Sequence, residues 1–129
     1  MPFAVQAAVI ARGGNVTVKL SYVIEFVADM DRAVKFYRDT MALPLKFESP
    51  GWSEFATEET TLALHPASDR NAAGKIEMGF NVPDLGRFYD EMRVNGVKFP
   101  MPPKKQDFGG MLAQFEDSEG AHVSVSGNH

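Results

Sequence analysis

A chain of 129 residues is long enough for one ordinary domain with its own core. Its 13 Lys and Arg against 17 Asp and Glu leave a net charge of -4, which gives no footprint for nucleic acid or an anionic membrane surface. The absence of cysteine excludes disulfides, thiol catalysis and Cys-ligated metal.

The start, "MPFAVQAAVIARGGN", has an apolar stretch but no basic residue before it, so it is a poor signal peptide and a cytoplasmic location is expected. No apolar run approaches the roughly 20 residues that span a bilayer. "FAVQAAVIA" and "VTVKLSYVIEFV" flank Arg12-Gly13-Gly14-Asn15, which predicts a hairpin with an edge strand over about 3–12. Asp29 is a natural N-cap, and Ala33, Val34, Tyr37 and Met41 recur at helical spacing behind it. "LPLKFES", "SEFATEE" and "TTLALHP" then read as three strands.

The order repeats. "KIEMGF" opens a second half, Asp84 caps a second helix, and Leu85, Phe88, Tyr89 and Met92 give its apolar stripe. Asn95-Gly96 ends that helix with a pair that tolerates left-handed backbone. "GVKFPMP", "MLAQFEDSEG" and "AHVSVSG" supply three more strands. Each half reads β-α-β-β-β, module one over about 18–66 and module two over about 75–126, within a single domain of 1–129. One such module has a half-covered sheet, whereas two side by side can share a core. The fold expected is α+β, with paired modules forming curved mixed sheets around a cavity and an extra N-terminal strand.

Within "KIEMGF", Glu77 shares a strand face with Gly79, while Ile76 and Met78 share the other. Glu77 therefore faces water or points into a cavity. Trp52, Phe55 and Phe108 either line that cavity or pack a core. "PMPPKKQDFGG", Pro100 to Gly110, has a proline-stiffened start and a glycine-loosened end. It reads as a loop, either a lid over the cavity or a plain connection.

Two modules with these helix starts resemble the vicinal oxygen chelate superfamily, the glyoxalase, bleomycin resistance protein and dioxygenase group. "FVADMDRAVKFYRDTMALPLKF" and "FEDSEGAHVSV" carry most of the resemblance, which covers residues 20 to 126. In the metal-dependent members of that group, four side chains from the sheet bind one divalent ion. The resemblance places those positions on Tyr22, Ala63, Glu77 and Ser124. A hard divalent ion needs several converging oxygen or nitrogen donors. Ala63 offers none and Ser124 only a neutral oxygen, so neither metal nor cofactor is expected.

His65 and His122 share faces with Ala63 and Ser124, and with Glu77 they are the residues of a displaced metal site, if there is one. The resemblance implies a metal-independent binding protein for a small, partly apolar molecule, and a homodimer. Tyr22, Trp52, Phe55, Ala63, His65, Glu77, Phe108, His122 and Ser124 are the expected ligand-binding residues. The alternative is a glyoxalase-like lyase or isomerase with Glu77 as base.

Overall fold

The computed structural model describes residues 18–107 and 109–128. The expected N-terminal strand, the Arg12–Asn15 turn and Phe108 lie outside the described residues.

Asp29 and Asp84 start the two helices in the same way. Each carboxylate accepts the backbone N–H three residues on, from Arg32 and Arg87, both at 3.0 Å. This satisfies a donor that the first turn leaves free. Before each cap runs a nine-residue strand, β1 (Lys19–Val27) and β5 (Ile76–Asp84). After them come α1 (Met30–Lys35) and α2 (Leu85–Val94). Module one then adds β2 (Leu45–Phe47), β3 (Ser53–Thr57) and β4 (Thr60–Pro66). Module two adds β6 (Met101–Lys105), β7 (Met111–Glu116) and β8 (His122–Asn128).

The strands form one curved, open sheet in the order β2-β3-β4-β1-β5-β8-β7-β6. The order is symmetric about the β1–β5 pair. β1 runs antiparallel to β5 and parallel to β4, and β5 runs parallel to β8. Val23 lies directly opposite Met78, 55 positions further along, so the axis relating the two repeats passes through this pair.

One face of the sheet carries both helices. Under α1, Val34 packs with Val27, Phe55 and Leu64. Under α2, Leu85 packs with Val82, Ala113 and Val125. Gly127 is required there, because a Cβ on it would lie 2.5 Å from the Val82 carbonyl oxygen. The face without helices carries a third cluster, Ile24, Phe26 and Ala63, and this face is the one that positions the site.

α1 is cut short by a π-turn over Phe36–Thr40, in which Met41 N–H donates to the Phe36 carbonyl at 3.0 Å. The extra residue in this turn breaks the helical stripe, so Met41 is exposed rather than packed. The same turn presents the Tyr37 hydroxyl to Glu25 Oε1, to which it donates at 2.6 Å. Burial, with help from this bond and the Glu25 charge, pushes the Tyr37 phenol up to about 12. The folded state thus holds the phenol proton more tightly than an unfolded tyrosine near 10. This contribution is complete below about pH 10 and is lost as pH rises towards 12. Stability measured by urea unfolding is expected to fall across this window, and to fall less steeply in Tyr37→Phe. An equal slope in both proteins would overturn the assignment.

Two sequence expectations are corrected here. The strand expected in "GVKFPMP" begins only at Met101. Val97 N–H instead returns to the Met92 carbonyl at 2.9 Å as the helix ends. The loop expected over Pro100 to Gly110 is mostly β6, at the edge of the sheet. An edge strand tolerates Pro102 and Pro103, because it needs ladder bonds on one side only. The remaining turn is closed by Gln106 N–H to the Gly110 carbonyl at 2.8 Å.

Candidate functional site

Strand alternation and register bring the four matched positions onto the helix-free face. Ile24 on β1 lies opposite Ala63 on one side and Glu77 on the other. Gly79 lies opposite Tyr22 on one side and Ser124 on the other. Tyr22, Ala63, Glu77 and Ser124 therefore share one face across four adjacent strands.

Glu77 is buried, with 6% of its surface exposed. Its Oε2 accepts a hydrogen bond from the Ser124 hydroxyl and another, at 3.4 Å, from Gln114 Nε2. Oε1 has no partner among the described residues. Among the described residues no buried side-chain oxygen or nitrogen is left without one, so Oε1 keeps contact with solvent.

Module one supplies an aromatic wall beside this carboxylate. The Trp52 ring lies 5.9 Å from Tyr22 and 6.2 Å from His65, and His65 lies 5.3 Å from Phe26, all edge-to-face. Trp52 Nε1 donates to Glu54 Oε2 at 2.8 Å, which fixes the indole over the Ile24–Ala63 surface. Burial raises the Tyr22 phenol above its ordinary value and the Glu54 charge adds to this, so Tyr22 is protonated at neutral pH. Tyr22 also sits close over Gly79. A Cβ at residue 79 would stand 3.2 Å from the Tyr22 Cβ.

A cavity of about 600 Å³ opens on the far side of Tyr22 from Glu77. Its lining includes Tyr22, Thr61, Asn81, Ser126 and the Gly109–Gly110 turn. Along β5, Glu77, Gly79 and Asn81 share one face, so the cavity and the carboxylate are two ends of one surface, with Tyr22 between them.

The remaining sequence candidates separate. Phe55 is fully buried on the opposite face, among Val27, Val34 and Leu64 under α1, so it packs a core and lines no cavity. His65 is exposed, with Nδ1 2.9 Å from the Pro66 carbonyl oxygen. His122 lies 3.8 Å from Glu116 across the β7–β8 pair. Among the described residues no three His, Asp or Glu side chains converge, so His65, His122 and Glu77 do not form a displaced cluster.

Sequence reasoning missed Gln114 and Glu54. Gln114 is a lone polar residue between Ala113 and Phe115, which marks it as facing away from the core. Glu54 shares a strand face with Trp52.

A divalent ion does not fit this donor set. Ala63 presents a methyl group, the Ser124 hydroxyl is donated to Glu77, and Tyr22 keeps its proton. Glu77 alone does not make a metal site.

Fold and site together define a class: paired β-α-β-β-β modules around one concave face, with a single carboxylate where a chelating set can stand. The family model of the Glyoxalase/Bleomycin resistance protein/Dioxygenase superfamily matches residues 19–125, and the chain belongs to that superfamily. A protein of Shewanella frigidimarina is 38% identical over 56 residues, 43% of this chain. That match spans 41% of the Shewanella protein, less than half its length. The uncharacterized protein YetH of Bacillus subtilis is 24% identical over 111 residues, 79% of this chain and 92% of YetH. Methylmalonyl-CoA epimerase from Mycobacterium tuberculosis superposes with a TM-score of 0.72 at 17% identity, over 86% of this chain and 88% of the epimerase. That likeness is one of fold. No helix among the described residues is long and apolar enough to cross a membrane.

Proposed function

We propose that this protein binds a small, partly apolar molecule on its concave face without a metal ion. One observation carries the reading: the Ser124 hydroxyl is donated to Glu77, at a position where a chelating site needs a free anionic donor. The Tyr22–Trp52–His65 wall and the cavity of about 600 Å³ support a ligand with an apolar body and a few polar groups. Ile76 and Met78, exposed on the helix-bearing face of β5, supply apolar surface for the homodimer that belongs to this reading. A cytoplasmic location belongs to it as well.

Trp52 is the single tryptophan and lies in the wall, so its fluorescence reports occupancy. Binding of small aromatic compounds is expected to be unchanged after treatment with EDTA and after addition of zinc, nickel, manganese or iron. Loss of binding on chelation, restored by one of these metals, would overturn the reading.

The second reading is an isomerase or lyase with Glu77 as base. The open Oε1 favours it, since a base needs an oxygen free to take a proton. Exchange of a bound compound's carbon-bound proton with deuterated solvent, lost in Glu77→Gln, would select it.

A further inference from the structure

The geometry points to an ammonium-type cation on the ligand, seated against Glu77. This rests on the reading of the concave face as a binding site, and it adds the charge of the ligand.

Glu77 is a buried carboxylate whose hydrogen bonds among the described residues come from neutral groups, the Ser124 hydroxyl and the Gln114 amide. Among the described residues no Lys, Arg or His makes an ion pair with it. Carboxylates taken out of water are ordinarily paired with a cation or a metal. The metal donors are missing here, and among the described residues no cation takes their place.

Two other carboxylates stand on the strands of this face, and each has a basic side chain within 4 Å. Glu54 holds the Trp52 indole N–H and lies 3.9 Å from Lys46. Glu116 lies 3.8 Å from His122. Glu77 is the buried carboxylate of these strands that has no such partner among the described residues, and Oε1 is its atom open to a ligand.

The surroundings favour the same group. An ammonium beside Oε1 donates a charge-assisted hydrogen bond. The aromatic wall lies one strand away across Ile24, where ring faces attract cations and ring bodies cover an apolar tail. An anionic group seated beside Oε1 would instead meet the charge of Glu77. The class of ligand assigned is therefore a small amine with an aromatic or aliphatic body.

Three probes of similar shape test this: 2-phenylethylamine, 2-phenylethanol and 3-phenylpropionate, titrated into EDTA-treated protein at neutral pH and read by Trp52 fluorescence. The amine is expected to bind about ten-fold or more tightly than the alcohol, and the acid weakest. In Glu77→Gln, checked for folding by circular dichroism, the ratio of amine to alcohol affinity is expected to collapse towards one. Should that variant fail to fold, the comparison of the three probes on the unaltered protein decides. Equal binding of amine and alcohol, or a preference that survives in Glu77→Gln, overturns the cation and leaves the binding site standing. No response to any of the three overturns the binding site and the cation with it.

Discussion

Phe55→Ala is expected to cost about 3–5 kcal/mol of folding stability, the range for emptying an aromatic site in a closed core. Phe55 is fully buried. It touches the apolar groups that hold α1 to the sheet, and its ring lies 5.8 Å from Tyr37. A small domain has a net stability of about 5–15 kcal/mol, so a loss of this size can leave a large unfolded fraction. Urea unfolding measures it directly. Trp52→Ala is the matched comparison, because Trp52 is half-buried on the opposite face and leaves no sealed cavity. It is expected to cost much less stability and to remove ligand binding. A Phe55→Ala protein that keeps its stability and loses its ligand would return Phe55 to the cavity.

The misplacement of Phe55 shows which part of the site was legible. Trp52 and Phe55 are three residues apart, and an odd separation on a strand sends two side chains to opposite faces. Aromatic content alone placed both in the cavity, whereas parity separates them. Where parity was used, for Glu77 with Gly79 and for His122 with Ser124, the two residues of each pair share a face in the structure. The helix starts were legible because an Asp cap followed by apolar spacing is a local signal.

What stayed hidden is non-local. Val97 and Phe99 alternate with polar residues as a strand does, yet the pairing that makes β6 begins only at Met101. Nothing near Gln114 announces that its amide will reach Glu77, 37 positions away. That contact exists because β7 pairs with β8 and β8 with β5, an order set by the whole sheet. The Lys46–Glu54 contact is hidden in the same way, since it depends on β2 lying beside β3.

Glu77→Gln is expected to separate stability from function. Glutamine keeps the shape of the side chain, and its carbonyl oxygen can still accept from Ser124 and Gln114. What disappears is a charge held in a buried place with no cation beside it among the described residues. Removing such a charge is neutral or favourable to folding, so the unfolding midpoint is expected to stay or to rise by an amount worth about 1 kcal/mol. Binding changes in the opposite direction. Truncating one partner of a desolvated charge pair typically costs about 2–5 kcal/mol, so affinity for an amine probe is expected to fall by more than ten-fold. Thermal unfolding and Trp52 fluorescence titration on the same preparation read both effects. A residue kept for the fold would show the reverse, a large loss of stability together with whatever binding the folded fraction retains. If Glu77→Gln unfolds near room temperature, Glu77 is a structural carboxylate. If it is stable and binds amines as before, the carboxylate does not contact the ligand. Gain of stability with loss of binding is the signature of a group held at a cost because the ligand needs it, and it is the outcome that the neutral hydrogen bonds around Glu77 and its open Oε1 lead one to expect.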